Sequence, residues 1–199
     1  LGLTLAEPLS TMREYVAVLR GAFADGASFE GKHYRVRWSL GVPARPPAPP
    51  IYLAALGPEM LELAGEIADG VLLNWIPPEA VPASIAHLEA GARRAGRTLD
   101  GFEIAGFIRT TVTDQPEAAR AGLARDITGY AIVDVYASFF GSVGYADEMT
   151  AINTAWKAGD RAGAVREVSP RVLDGLGVVG DEKFCRERFE AYARAGLTM

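Results

Sequence analysis

The chain has 199 residues, 49% of them hydrophobic and 23% charged, with 20 basic and 25 acidic side chains and a formal net charge of -5. That length supports one sizeable core, and without a basic excess to neutralise phosphates no nucleic-acid partner is expected. No apolar run approaches the roughly 20 residues of a membrane helix, so no membrane partner is expected either.

The lone Cys185 excludes an internal disulfide and suits a reducing cytoplasm, the expected location. His33 and His87 are the only histidines and stand far apart, which leaves little from which to build a metal site or a Ser/His/Asp triad, so no metal is expected. The sequence opens at Leu1 without a charged-then-apolar leader, and no signal peptide is expected.

In chain order, residues 1–10 read as an irregular lead-in. Ser10 or Thr11 is placed to cap a helix that buries Met12, Tyr15, Val16 and Leu19 and stops at Arg20-Gly21. Residues 27–36 alternate around Glu30-Gly31 and predict a small hairpin, with His33 beside the turn and facing solvent. The proline-rich stretch 40–50 is an extended approach to the strand that starts at Ile51.

Residues 51–56 form an almost wholly apolar run, the pattern of a parallel strand buried on both faces. Gly57-Pro58 breaks that strand and starts a helix, since glycine permits a tight turn and proline suits the first helical turn. Met60, Leu61, Leu63, Ala64, Ile67 and Ala68 give the helix one apolar face, and Gly65 leaves room for close packing. Asp69-Gly70 turns the chain into a second buried strand, 71–75, with the polar Asn74 near its end. The whole is a βαβ unit of minimal length. Its strand-to-helix turn at 56–58 is either an ordinary connection or an anion site, because free N–H groups and the positive end of the helix dipole meet there.

A helix after Pro77-Pro78 carries Val81, Ile85, Leu88, Ala92 and Ala95 on its apolar stripe and His87 on its solvated face. Residues 102–113 alternate as one long third strand, and Asp114 with Glu117 predicts a capping-box helix start. The apolar run 127–144 is open to two readings, a core helix or the wall of a substrate pocket. Residues 175–180 spell GLGVVG, a literal dinucleotide-fingerprint match that lacks the preceding strand and the later acidic residue such a site needs. Gly180-Asp181 instead caps a helix over 182–195 whose buried stripe includes Phe184, Cys185, part of Arg188, Phe189 and Tyr192, and 197–199 start a further strand. Strands alternating with helices predict an α/β fold with a parallel sheet, here read as a single domain over residues 1–199.

The segments PPIYLAALGPEMLELAGEIADGVLLN, MREYVAVLRGAF, FEGKHYRV and GDEKFCRERFEAYARAGLTM together resemble the bacterial-luciferase-like monooxygenase family, and within it the deazaflavin (coenzyme F420) dependent oxidoreductases. The resemblance implies a (β/α)8 TIM barrel that binds its cofactor at the C-terminal mouth. A complete barrel takes about 250 residues, so this chain corresponds to roughly the second half, with the earlier strands absent from this sequence.

It further implies that Ala54, Ala55, Leu56 and Gly57 lie against the cofactor, with backbone amides reaching its polar tail. Asn74 would stand near the cofactor phosphate, with Trp75 adjacent. The implied activity is hydride transfer between F420 and a small organic substrate. The alternatives are an FMN-dependent monooxygenase using O2 and a non-catalytic relative that binds a flavin-like ligand or a partner chain. Catalytic acids and bases are expected in the earlier strands and none is assigned; Glu103 and Arg109 lie on a strand where ion pairing explains them as well as chemistry does. A homodimer is implied, with residues 127–140 a candidate contributor.

Overall fold

The structure is a computed structural model that describes residues 7–24, 26–38, 41 and 47–199. They gather into two compact units, the first made of residues up to Leu72 together with Ala86–Glu103, the second of Leu73–Ile85 with Ile104–Met199.

In the first unit, helix α1 (Pro8–Ala24) starts earlier and runs later than its predicted bounds. Ser10 falls inside the first turn, where its hydroxyl donates back to the Glu7 carbonyl, and Gly21 does not end the helix. Strands β1 (Ala27–Glu30) and β2 (Arg35–Trp38) form the expected antiparallel hairpin. The connection between them is held from α1: the Glu14 carboxylate accepts the backbone N–H groups of Lys32, His33 and Tyr34 at 2.8, 2.8 and 3.0 Å. His33 therefore turns inward instead of facing solvent, with Nε2 2.8 Å from Ser10 Oγ. The predicted extended approach at 40–50 lies largely outside the described residues.

The βαβ unit forms as β3 (Tyr52–Ala54), α2 (Pro58–Ile67) and β4 (Gly70–Asn74), with Tyr52, Leu53 and Ala54 in parallel register with Gly70, Val71 and Leu72. Asp69 makes the return, its carboxylate accepting the Ile51 N–H at 2.9 Å and an Arg20 N–H at 3.0 Å. The strands are not buried on both faces. Leu53 and Val71 are buried while Ala54 and Leu72 are exposed, so each strand buries one side of its pleat and leaves the other open.

Helix α3 (Val81–Arg94) meets α2 at backbone distance. A Cβ on Gly65 would come within 1.9 Å of the Leu88 carbonyl oxygen, and one on Gly91 within 1.8 Å of that of Glu62. Each glycine thus admits the other helix's backbone, as the sequence suggests for Gly65. His87 is drawn onto this contact, with Nδ1 3.3 Å from a Glu62 carboxylate that also accepts from Arg94 at 2.5 Å.

The single strand predicted over 102–113 is interrupted at Ile108. Its first part, β5 (Glu103–Phe107), is the third strand of the sheet β3-β4-β5, and its second part, β6 (Arg109–Val112), belongs elsewhere. The partner of β6 is β7 (Gly177–Gly180), parallel and in register from Arg109↔Gly177 to Val112↔Gly180. The GLGVVG stretch therefore contributes a strand where none was predicted, and it follows a helix as no dinucleotide fingerprint does.

The second unit's core is helical. Helices α4 (Pro116–Ala131), α5 (Asp134–Phe140), α6 (Ala146–Lys157), α7 (Arg161–Arg166) and α8 (Pro170–Leu176) bring Ile127, Phe140, Ile152, Val172 and Leu176 together with Trp75. Burying each such side chain contributes about 1.5–3 kcal/mol. Phe140 is fully enclosed there and offers no surface to a second copy, whereas Val133 and Val135 are exposed. No capping box opens α4: Gln115 holds the N-cap position with no side-chain bond.

Helix α9 (Glu182–Ala195) has the predicted limits, an Asp181 side chain accepting from the Phe184 N–H and a left-handed Gly196. Cys185 and Tyr192 are buried, but Phe189 is 44% exposed against its predicted burial. Residues 198 and 199 follow β5 without forming a regular strand, through Thr198 N–H to Ile104 O at 2.9 Å and Gly106 N–H to Met199 O at 2.9 Å. Among the described residues no helix is long and apolar enough to cross a membrane.

Two outcomes are expected. Gly65→Ala forces α2 and α3 apart and lowers stability by about 2 kcal/mol, read as a fall in the urea midpoint at unchanged slope. The Tyr192 hydroxyl donates to the Ile76 carbonyl at 2.8 Å, and burial pushes its pKa from 10.0 up to about 12. The neutral form is favoured on folding, so this contribution is complete below about pH 10 and is lost as pH rises towards 12. Tyr192→Phe should cost about 1 kcal/mol at neutral pH and flatten the loss of stability measured across that alkaline window.

Candidate functional site

The six positions implicated by the sequence fall in two groups, Ala54–Gly57 in the first unit and Asn74 with Trp75 in the second. In the first group Ala55 is buried, Leu56 half-buried, and Ala54 and Gly57 exposed. Gly57 is the N-cap of α2, followed by Pro58, and no side chain caps the helix. Proline brings no N–H, so the first turn leaves the Glu59 and Met60 N–H groups without a side-chain acceptor. Gly57 has φ -82 and ψ 154, an extended conformation open to any residue, so the tight turn expected of it is not what requires glycine. What distinguishes the position is space: an added Cβ would meet nothing within 4 Å. Uncapped donors beside an open position can receive an anion, aided by the dipole.

The second group sits where β4 stops. Trp75 follows the last strand residue with φ 54, in the left-handed region that a bulky side chain rarely adopts. Its side chain is nevertheless buried, and its indole N–H has no hydrogen-bond acceptor among the described residues. The Arg109 guanidinium lies over this indole at 3.8 Å from the ring centroid, over Phe107 at 4.4 Å and over Tyr130 at 5.4 Å. Arg109 begins β6 directly after the break at Ile108, which is how the interruption of the long strand brings it to this place.

Both ends of the Asn74 amide are used: Oδ1 accepts from Arg109 Nη1, and Nδ2 donates to the Tyr136 hydroxyl at 2.9 Å. Arg109 also donates to the Phe107 carbonyl at 3.2 Å and to the Tyr130 hydroxyl at 3.4 Å. The Tyr130 and Tyr136 rings meet edge-on at 4.7 Å, and Trp75 and Tyr130 at 5.2 Å.

Among the described residues no carboxylate forms an ion pair with Arg109, so the structural ion pair the sequence offered as an explanation is not made. Burial pulls its pKa below the ordinary value, opposed by Tyr130, Tyr136 and the more distant Asp126. A guanidinium stays charged through such a shift, and the result is a half-buried cation on aromatic faces with no counter-ion from a described residue. Glu103, the other strand residue weighed with it, belongs to the first unit.

Tyr130 and Tyr136 were legible only as part of the apolar run. They flank the break between α4 and α5, so no helical period links them, and their hydroxyls, not their rings, mark them out. The available signal for Arg109 was a basic charge within a stretch otherwise made, apart from Glu103, of apolar and hydroxyl side chains. Among the described residues no group of three His, Cys, Asp or Glu side chains is arranged to hold a metal ion.

A family model described as luciferase-like monooxygenase matches residues 1–199. Two curated 5,10-methylenetetrahydromethanopterin reductases, from Archaeoglobus fulgidus and Methanolobus tindarius, are 28% and 29% identical over 205 and 214 residues; each match covers 100% of this chain and 61% of the relative. The solved coenzyme F420 dependent tetrahydromethanopterin reductase of Methanopyrus kandleri matches with a TM-score of 0.75 at 26% identity, over 96% of this chain and 56% of that one. The chain thus spans less than two thirds of the length of these proteins.

Proposed function

The chain belongs to the luciferase-like monooxygenase family, and from that premise we propose that it forms the second half of a (β/α)8 barrel in an F420-dependent oxidoreductase acting on a small organic substrate. The observation that carries this is the match along 96% of the chain to a reductase whose cofactor is F420, at a TM-score of 0.75. The parallel pairs β3/β4 and β6/β7, each with helix between its two strands, support the barrel placement.

The residues present fit an anionic cofactor. Gly57 leaves open space beside the uncapped N–H groups of Glu59 and Met60, the arrangement a phosphate accepts. Ala54, Ala55 and Leu56 lead to that turn, and small side chains there let a flat ring system approach the backbone. When bound, the deazaflavin supplies a two-electron hydride carrier. The task of these residues is to fix its polar tail and orient it.

Gly57→Asp separates a ligand role from a structural one. An aspartate is a better N-cap than glycine and complements the dipole, so the variant should gain about 0.5 kcal/mol of stability. Its carboxylate would occupy the same N–H groups and repel a phosphate, so F420 affinity should fall about tenfold, or 1.4 kcal/mol. A stabilised variant with unchanged affinity would remove this turn from the cofactor site.

The wider reading is tested by titrating the whole cofactor-free protein with F420 and FMN in parallel and following cofactor fluorescence. Selective F420 binding is expected. Selective FMN binding would move the protein to the oxygen-using branch, and binding of neither would leave a non-catalytic relative.

A further inference from the structure

We propose that Arg109, with Tyr130 and Tyr136, binds the carboxylate of the organic substrate, an inference that rests on the oxidoreductase reading only in naming that ligand a substrate. The hydrogen-bond inventory of the cluster points to it. Arg109 spends its Nη1 protons on Asn74 Oδ1 and the Phe107 carbonyl and one Nη2 proton on Tyr130. Its Nε–H and second Nη2–H remain, on neighbouring nitrogens of the rigid fork that pairs bidentately with an oxyanion.

The two phenols add to them. Tyr136 accepts from Asn74 and Tyr130 accepts from Arg109, so each keeps its own O–H proton to give. Asn74 Oδ1, the side-chain acceptor that would otherwise compete, is already taken. What the cluster offers is donors and a positive charge, at a place where no carboxylate of a described residue pairs with that charge.

The charge is also held in place at some cost. Trp75 supports the guanidinium at 3.8 Å from a backbone in the left-handed region, and residues kept in such conformations cluster at ligand sites. A half-buried cation with no ion-paired carboxylate gains an opposite charge when an anion arrives, which offsets part of its desolvation.

Shape favours a carboxylate over a phosphate. The guanidinium lies over the Trp75 and Phe107 rings, whose faces carry negative quadrupole density. A bidentate carboxylate lies with both oxygens in the plane of the fork, whereas a tetrahedral phosphate carries further oxygens out of that plane. Phe107 is 59% exposed and gives an apolar substrate body a surface next to the charge.

The experiment is calorimetric titration of the whole protein with benzoate, with its neutral isostere benzamide and with inorganic phosphate, repeated on Arg109→Gln, Arg109→Lys and the double variant Tyr130→Phe, Tyr136→Phe. Benzoate affinity should fall at least tenfold in both arginine variants, since lysine keeps the charge and loses the fork, and two- to fivefold in the tyrosine variant. Benzamide should bind weakly and equally to all four proteins, and F420 affinity should stay within twofold. Should Arg109→Gln fail to fold, the lysine and tyrosine variants carry the same test.

Unchanged benzoate affinity in the folded variants would overturn the proposal. So would phosphate displacing benzoate at equal concentration, or F420 affinity falling alongside benzoate, which would give the site to the cofactor. Arginine-dependent benzoate binding in a protein that binds no F420 would sink the cofactor reading and leave the carboxylate site standing.

Discussion

A left-handed backbone at a residue the size of tryptophan costs about 1–2 kcal/mol, and the second unit is arranged so that Trp75 can keep it. The indole is enclosed with Ile127, Phe140 and the rest of the helical core, and the guanidinium of Arg109 rests on its face. Because β4 stops in this way, Asn74 projects into the cluster with Arg109 and Tyr136 while the next side chain becomes core. The strain, the packing and the polar network share one point in the chain, which is why a change in any of them is felt by the others.

How much of this the sequence revealed depends on whether local chemistry or distant partners decided the matter. The βαβ unit was readable because its signals are local: an apolar run, a proline at the start of a helix, an aspartate-glycine return. So were the limits of α9, set by Asp181 and Gly196. The close approach of α2 and α3 was foreshadowed by Gly65, although its reciprocal at Gly91 becomes apparent only when the two helices are seen together.

The failures have an equally physical cause. Alternation over 102–113 is genuine, but alternation does not say which neighbour a strand pairs with, and here the neighbour changes at Ile108. Strand β7 hid because two of its four residues are glycine, and its identity comes from pairing with β6. His33 read as solvated since its partner, Ser10, lies 23 positions away, and the Glu62 partner of the partly exposed His87 lies 25 positions away. Of the six positions implicated from the sequence, Asn74 and Trp75 gained partners that define a cluster, and those partners, Arg109, Tyr130 and Tyr136, sit 35 to 62 positions from Asn74 or on the far side of a helix break.

The two anion-receptive places are built from different materials, and this bears on what each can select. At Gly57 the donors are backbone N–H groups at a helix terminus, which supply a diffuse partial charge and accept any oxyanion that fits the open space. At Arg109 the donors are side-chain groups with a full charge and a fixed plane, set against aromatic rings, and they discriminate by geometry. The backbone turn suits a ligand that is the same in every turnover, provided that position 57 stays small and uncharged. The Arg109 cluster is the reverse, since loss of the fork, of either hydroxyl or of the tryptophan floor alters what it will accept. Substrate preference within such a scaffold is therefore expected to follow the residues around Arg109 more than those around Gly57.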